Sequence, residues 1–524
     1  MSDTDSTGQT AVAETPSGAG PKPPAAVGAA TSSRPEGPLG GWAPDLIALV
    51  AVLVTAAAGT GLYFRSSAPL TLGLVAGLTV GLGCTRWWRA VLVGSAGALG
   101  GFFLASRLSQ VRWHAGFFWL PQGLQTAAVA AGIGAAVCFA VAQSPRLKPL
   151  LASLAVLAIV GTMWFSGLTL ASLPSSNGGS PLERLGATPS LTATSTDDEV
   201  FLTYVQSLRA GKGYYPTAVR IFQEMHAASG QAELTGSPLS YRLPTLYWLL
   251  SRLPGSPGAL VIAMLVACSA GVVAAYVLAR SQVALVPALA GTSIVASMLA
   301  GYAGPMLLDT ELWAGILGLV AVTLVVLART HERRSLELHI CAAVVTLAAV
   351  AVRELAVAFL LLGLVAALAD RSGPRRRAWA PWAVALLAAA GIIAAHWVSA
   401  SHAYAGVAPA VTNGARWLHP DGSGLFAAVA LVANHMWLVA GAAWLLVVLG
   451  MAGSLIGPRD RASRVMLAGT ALLGPLVLLA LHPPGWATYG APGYWGDLVM
   501  PTALACMPLA FVWLRDIRRA DPLG

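Results

Sequence analysis

Residues 259–279 read ALVIAMLVACSAGVVAAYVLA, a stretch without one charged side chain, preceded by Pro257 and closed by Arg280. At about 1.5 Å rise per residue a helix of this length spans the hydrocarbon core of a bilayer. Similar stretches recur on both sides of it. They predict helices centred near residues 54, 76, 97, 133, 160, 268, 292, 320, 344, 362, 389, 437, 473 and 506, an all-α, polytopic transmembrane bundle of about 13–14 helices. The composition agrees: of 524 residues 56% are hydrophobic and 10% charged, against about 25% charged in a soluble domain.

The pattern divides the chain into a tail over 1–40, rich in Ala, Gly, Pro, Ser and Thr, a four-helix module over 41–145, a main bundle over 146–515 and a short tail over 516–524. In the N-terminal module Gly73, Gly77 and Gly81 recur at four-residue spacing, which suits close helix packing. The five cysteines each sit in an apolar run with no CxxC and read as small core residues.

A net charge of +9 would suggest nucleic acid in a soluble chain. Here the basic residues sit in short clusters between spans, so nucleic-acid binding is excluded and the charge reports topology. Arg86 and Arg89, Arg146 and Lys148, Arg280, Arg329 with Arg333 and Arg334, Arg371 with Arg375 to Arg377, Arg459 with Arg461 and Arg464, and Arg515 with Arg518 and Arg519 all fall on one side of alternate crossings. The positive-inside bias makes that side cytoplasmic, with both termini there. Arginine far exceeds lysine in an Ala/Gly-rich chain, from which a bacterial plasma membrane is expected. Half of the 22 acids, including Glu183, Asp197, Asp198, Glu199, Glu224, Asp309, Glu311, Glu354 and Asp497, then fall at the outer face, where orientation does not require them.

The one long hydrophilic interruption covers about 174–257, far beyond ordinary connections. Within it Asp197-Asp198-Glu199 precede Phe201, Tyr204, Val205 and Leu208 at helical spacing, an amphipathic helix expected to lie on the membrane surface. A capping box of Thr196 and Glu199 also explains the acids. Gly211 and Gly213 end that helix, a second helix is expected from about Pro216 to Ala228, and Tyr241-Arg242-Leu243-Pro244 leads into a third over Thr245 to Leu253.

These residues carry a resemblance. Asp198-Glu199, Gly211-x-Gly213-Tyr214-Tyr215 and Tyr241-Arg242-x-Pro244 before a spanning helix resemble the first outer loop of the GT-C fold class of glycosyltransferases, multi-spanning enzymes that use polyprenyl-phosphate sugars. Asp309-Thr310-Glu311, Arg353-Glu354 and Tyr494-Trp495-Gly496-Asp497 are similar to later outer-face positions of that class. Four helices precede the first helix of the class fold, a departure from the class pattern that would make them an added module.

The resemblance implies inverting transfer of a sugar from a polyprenyl-monophosphate donor to a cell-envelope acceptor (glycan, glycolipid or protein) at the outer face. Asp198 is then the candidate general base, with Glu199, Asp309 and Glu311 assisting. Arg242, Arg353 and Tyr241 are candidates for the lipid phosphate, and Tyr214, Tyr215, Trp495 and Asp497 for the acceptor or sugar. Asp198 and Asp309 are the candidates to hold a divalent cation, Mg or Mn, which no sequence feature requires. An Arg353–Glu354 ion pair, and interfacial anchoring of Trp486, Tyr489, Tyr494 and Trp495, account for the same residues structurally. His396, His402, His419, His435 and His482 show no HExxH spacing and read as bundle or loop histidines. A transporter or lipid flippase, and a non-catalytic assembly partner, are the competing classes.

Overall fold

The computed structural model describes residues 148–172, 180–186, 197–229, 242–283, 285–302, 308–369, 377–405, 450–455, 460–480 and 498–509. The tails, the helices expected near 54, 76, 97, 133 and 437, and the Gly73 repeat lie outside the described residues. Within them every regular element is helical. The order is α1 Lys148–Ser172, α2 Pro181–Gly186, α3 Asp197–Arg209, α4 Tyr214–Ser229, α5 Thr245–Ser251, α6 Pro257–Gln282 and α7 Leu285–Tyr302. Then come α8 Thr310–Thr330, α9 Ser335–Val352, α10 Val357–Ala369, α11 Trp379–Tyr404, α12 Arg461–Ala480 and α13 Met500–Leu509.

Among the described residues four helices are long and apolar enough to cross a membrane: α6, α8, α9 with its preceding turn, and α11. By length and composition they suggest a membrane protein. Their outward stripes agree: Ile262, Val266 and Val273 on α6, and Val384 and Leu387 on α11, are exposed. A surface this apolar needs a non-aqueous covering.

The central post is α8, 72% of whose apolar stretch is buried, against 17% for the peripheral α11. It packs on α6, α9 and α12, while α10 bridges α11 and α12. The turn Glu332–Arg334 makes α8 and α9 an antiparallel hairpin, which sets Asp309 at the start of α8 beside Arg353 at the end of α9. Gly318 lets the Phe359 ring approach, since a Cβ there would stand 2.7 Å from it. At the far end of α8, about 30 Å away along the helix, Arg329 pairs with Asp460 at 3.2 Å.

The three helices expected in the long loop are present among the described residues, together with the short α2 before them, with one difference of placement. The apolar stripe of α3, Phe201, Leu202, Tyr204 and Val205, is buried against protein, because α4 and α5 pack on it, and not laid on a membrane surface. Periodicity identifies an apolar face and says nothing of what covers it. Gly211, at φ 75°, ends α3: Lys212 N–H bonds the Ser207 carbonyl at 2.9 Å and Gly211 N–H that of Leu208 at 3.1 Å, a Schellman closure. Helix α4 begins at Tyr214, two residues earlier than expected, because the amides of a first turn have no helical partner and Pro216 costs nothing there. Helix α5 stops at Ser251, and Leu253 lies in the turn that follows.

Two of the acids expected at the outer face have local structural duties. Glu183 closes a capping box with Ser180, each backbone N–H meeting the other's side chain at 2.6 and 3.1 Å. Glu224 pairs with Arg220 one turn earlier on α4 at 2.7 Å.

Candidate functional site

The first turn of α8 organises the site. Asp309 is its N-cap, its Oδ1 accepting the Glu311 N–H at 2.9 Å, and Glu311 follows where the helix dipole favours an anion. Glu311 is completely buried. A buried carboxylate is costly unless paired, and this one is paired twice on a single oxygen. Its Oε1 meets Nε of Arg353 at 2.8 Å and also receives the Arg242 guanidinium, while Thr310 Oγ1 donates to Oε2 at 2.8 Å.

Arg353 occupies the break between α9 and α10. Its backbone is extended, with its N–H closing the last turn of α9 on Ala349, and a 3-10 turn from Glu354 to Ala356 follows. This interruption swings the guanidinium back to Glu311 while its Nη1 pairs with Glu354. The ion pair expected from Arg353-Glu354 is therefore present, and Arg353 shares itself with a second carboxylate.

Arg242 comes from the long loop, just before Pro244 and α5. It rests on an aromatic bed: the guanidinium lies 5.7 Å over the Phe201 ring, and the Tyr214 hydroxyl donates to the Arg242 carbonyl at 2.7 Å. Tyr214 in turn stacks on Tyr247, with ring centroids 6.0 Å apart and planes 10° apart, and Tyr204 lies 4.9 and 5.3 Å from the two. Burial works against the charge on Arg242. The Glu311 carboxylate, with Tyr247, Asp309 and Glu354, outweighs it, so its pKa is raised and the guanidinium stays charged. Burial also pushes the Tyr214 and Tyr247 phenols well above the ordinary tyrosine range.

Of the residues singled out in the sequence, the structure thus brings together Asp309, Glu311, Arg242 and Arg353, with Glu354 beside them. Tyr214 forms part of the wall behind Arg242. Tyr215 points elsewhere, its hydroxyl 3.0 Å from Nδ1 of His396 on α11. Asp198 lies in the first turn of α3 and its side chain is outside the described residues; Glu199 is partly exposed one residue on. Tyr241, Trp495 and Asp497 lie outside the described residues.

Compared with known proteins, the chain matches no family, no curated protein and no solved structure.

The sequence pattern alone misses Tyr247 and Phe201, which support Arg242, and Thr310, which fixes the second oxygen of Glu311. The signal for Tyr247 is its place with Leu246 and Leu250 on the inward face of α5. Among the described residues no three of His, Cys, Asp and Glu gather as a metal-holding group. Asp309 serves the helix cap and Glu311 the two guanidiniums, so both carboxylates are engaged. Chemically, the two guanidiniums are the donors that an anion such as a phosphate would use, set against the carboxylates of Glu311 and Glu354 that already pair with them.

Proposed function

We propose that this chain is an integral membrane glycosyltransferase of GT-C type, multi-pass in a bacterial plasma membrane with both termini cytoplasmic. It takes a sugar from a polyprenyl-monophosphate donor and passes it to an envelope acceptor at the outer face. The observation that carries this reading is the meeting of Arg242, from the long loop, and Arg353, from the helix break, at the first turn of α8. That end of α8 is opposite the Arg329–Asp460 pair, which belongs to the arginine-rich side.

In this mechanism the acceptor hydroxyl gives its proton to Asp198 as its oxygen attacks the anomeric carbon. The bond from that carbon to the phosphate oxygen breaks, its electron pair leaves with the lipid phosphate, and the configuration inverts. Arg242 and Arg353 stabilise the departing phosphate, and Glu311 holds both guanidiniums in place before the donor arrives.

The charged side chains of α8 and α9 lie near their ends and not along their middles, which favours chemistry at an interface over a path through the bilayer. The test is transfer from a labelled polyprenyl-phosphate sugar by purified protein, wild type against Asp198→Asn and Arg242→Gln. Loss of transfer in both variants is expected. Equal transfer by wild type and Asp198→Asn overturns the assigned base, and no turnover with any donor, together with substrate flux in liposomes, overturns the enzyme reading.

A further inference from the structure

Helix α5 has two faces with different company. Leu246, Tyr247 and Leu250 are buried against α3 and the aromatic bed of Arg242. Trp248 and Leu249 on the other side are 48% and 50% exposed, and the exposed Arg252 folds back with its guanidinium 4.9 Å from the Trp248 ring centroid. Large apolar side chains held outward on a seven-residue helix are unfavourable in water. The helix is nonetheless firmly placed: Arg209, at the end of α3, donates Nη2 to the carbonyls of Leu250 and Pro254 at 3.4 and 3.2 Å.

The position of α6 says what covers this face. The two helices are joined by the short turn from Arg252 to Ser256, and the outward stripe of α6 begins at Ile262, five residues after Pro257 and so about 7.5 Å further along the axis. At 26 residues α6 is about 39 Å long, longer than the hydrocarbon core of about 30 Å, so its first turn stands in the headgroup layer. Only five residues separate helix α5 from α6, which limits how far from that level it can lie. Tryptophan with an arginine at that depth is the side-chain pair that suits the interface, the indole among the upper acyl chains and the guanidinium at the phosphates.

We propose that Trp248, Leu249 and Arg252 form a lipid contact that rests in the headgroup layer and engages anionic phospholipid headgroups. Through α5 this contact is mechanically continuous with Tyr247 and with the segment that carries Arg242. The proposal rests on the membrane reading and not on transfer chemistry, so a negative result in the donor assay leaves it standing.

The test is hydrogen–deuterium exchange of the full chain in nanodiscs of phosphatidylcholine alone and of phosphatidylcholine with phosphatidylglycerol. In wild type, exchange over 245–253 is expected to slow by about fivefold in the anionic discs, the effect of one favourable arginine–headgroup contact. Arg252→Gln should abolish the difference and Arg252→Lys should keep most of it, while exchange over 198–209 stays the same in both lipids. Identical wild-type exchange in the two lipids overturns the proposal, as does a lipid difference that persists in Arg252→Gln.

Discussion

Arg353 and Glu311 meet across the α8–α9 hairpin, Nε to Oε1 at 2.8 Å, on the same carboxylate oxygen that receives Arg242. One atom of α8 thereby fixes two cations from distant parts of the chain. Removing one partner of a buried ion pair leaves an uncompensated charge, so Glu311→Gln is expected to destabilise the protein by about 3–5 kcal/mol. Unfolding in detergent micelles measures this. Arg242→Gln introduced into the Glu311→Gln background should cost less than it does alone, and strict additivity would contradict a shared oxygen.

Two tyrosines of the aromatic bed should respond oppositely to loss of their hydroxyls. The Tyr214 hydroxyl donates to the Arg242 carbonyl, so Tyr214→Phe is expected to cost about 1 kcal/mol. The Tyr247 hydroxyl is buried without a hydrogen-bond partner among the described residues. Tyr247→Phe removes an unsatisfied polar group and should leave stability unchanged or improve it by about 1 kcal/mol. Melting curves of the two variants decide this, and a substantial loss in Tyr247→Phe would contradict the geometry.

The same phenols give a pH dependence of definite sign. Their folded pKa values are raised above the ordinary tyrosine value near 10, chiefly by burial. Above that value the unfolded chain releases these protons and the folded chain retains them, so stability is fully present below about pH 10 and falls as pH rises beyond it. Tyrosinate absorbance on alkaline titration should show these two phenols ionising only with unfolding; Tyr214→Phe and Tyr247→Phe should each remove one from that late phase.

Helix packing offers a contrast between two glycines. A Cβ at Gly363 would run into the Trp382 ring, whereas one at Gly391 meets nothing within 4 Å. Gly363→Ala is expected to destabilise by about 1–3 kcal/mol through overpacking, and Gly391→Ala to stabilise by up to about 1 kcal/mol through helix propensity. Thermal denaturation of both in the same detergent checks the pair.

The helices among the described residues were legible because each is set by local composition: α6 starts at Pro257 and stops after Arg280, as the apolar run dictates. The break at Arg353-Glu354 was legible for the same reason, a charged pair interrupting two apolar stretches. What the sequence did not disclose was pairing at a distance. Nothing near Glu311 names Arg242 as its partner, and nothing near Tyr214 names the Arg242 carbonyl, since both depend on how the long loop folds onto the bundle. The inward face of α3 shows the same limit, because its stripe of Phe201, Tyr204 and Val205 fits protein and lipid equally well. The duty of Glu183 was the reverse case: Ser180-x-x-Glu183 is a local signal, and position at the outer face had suggested a different role for it.

Helix α8 is held at both ends, by Glu311 with its two arginines and by Arg329 with Asp460. A helix turns about 100° per residue. A single inserted residue between those ends would lengthen the helix by only about 1.5 Å yet rotate Glu311 away from both guanidiniums while Arg329 kept its partner. The rod therefore fixes an angular phase between its two ends, and its residue count is constrained by rotation more tightly than by length.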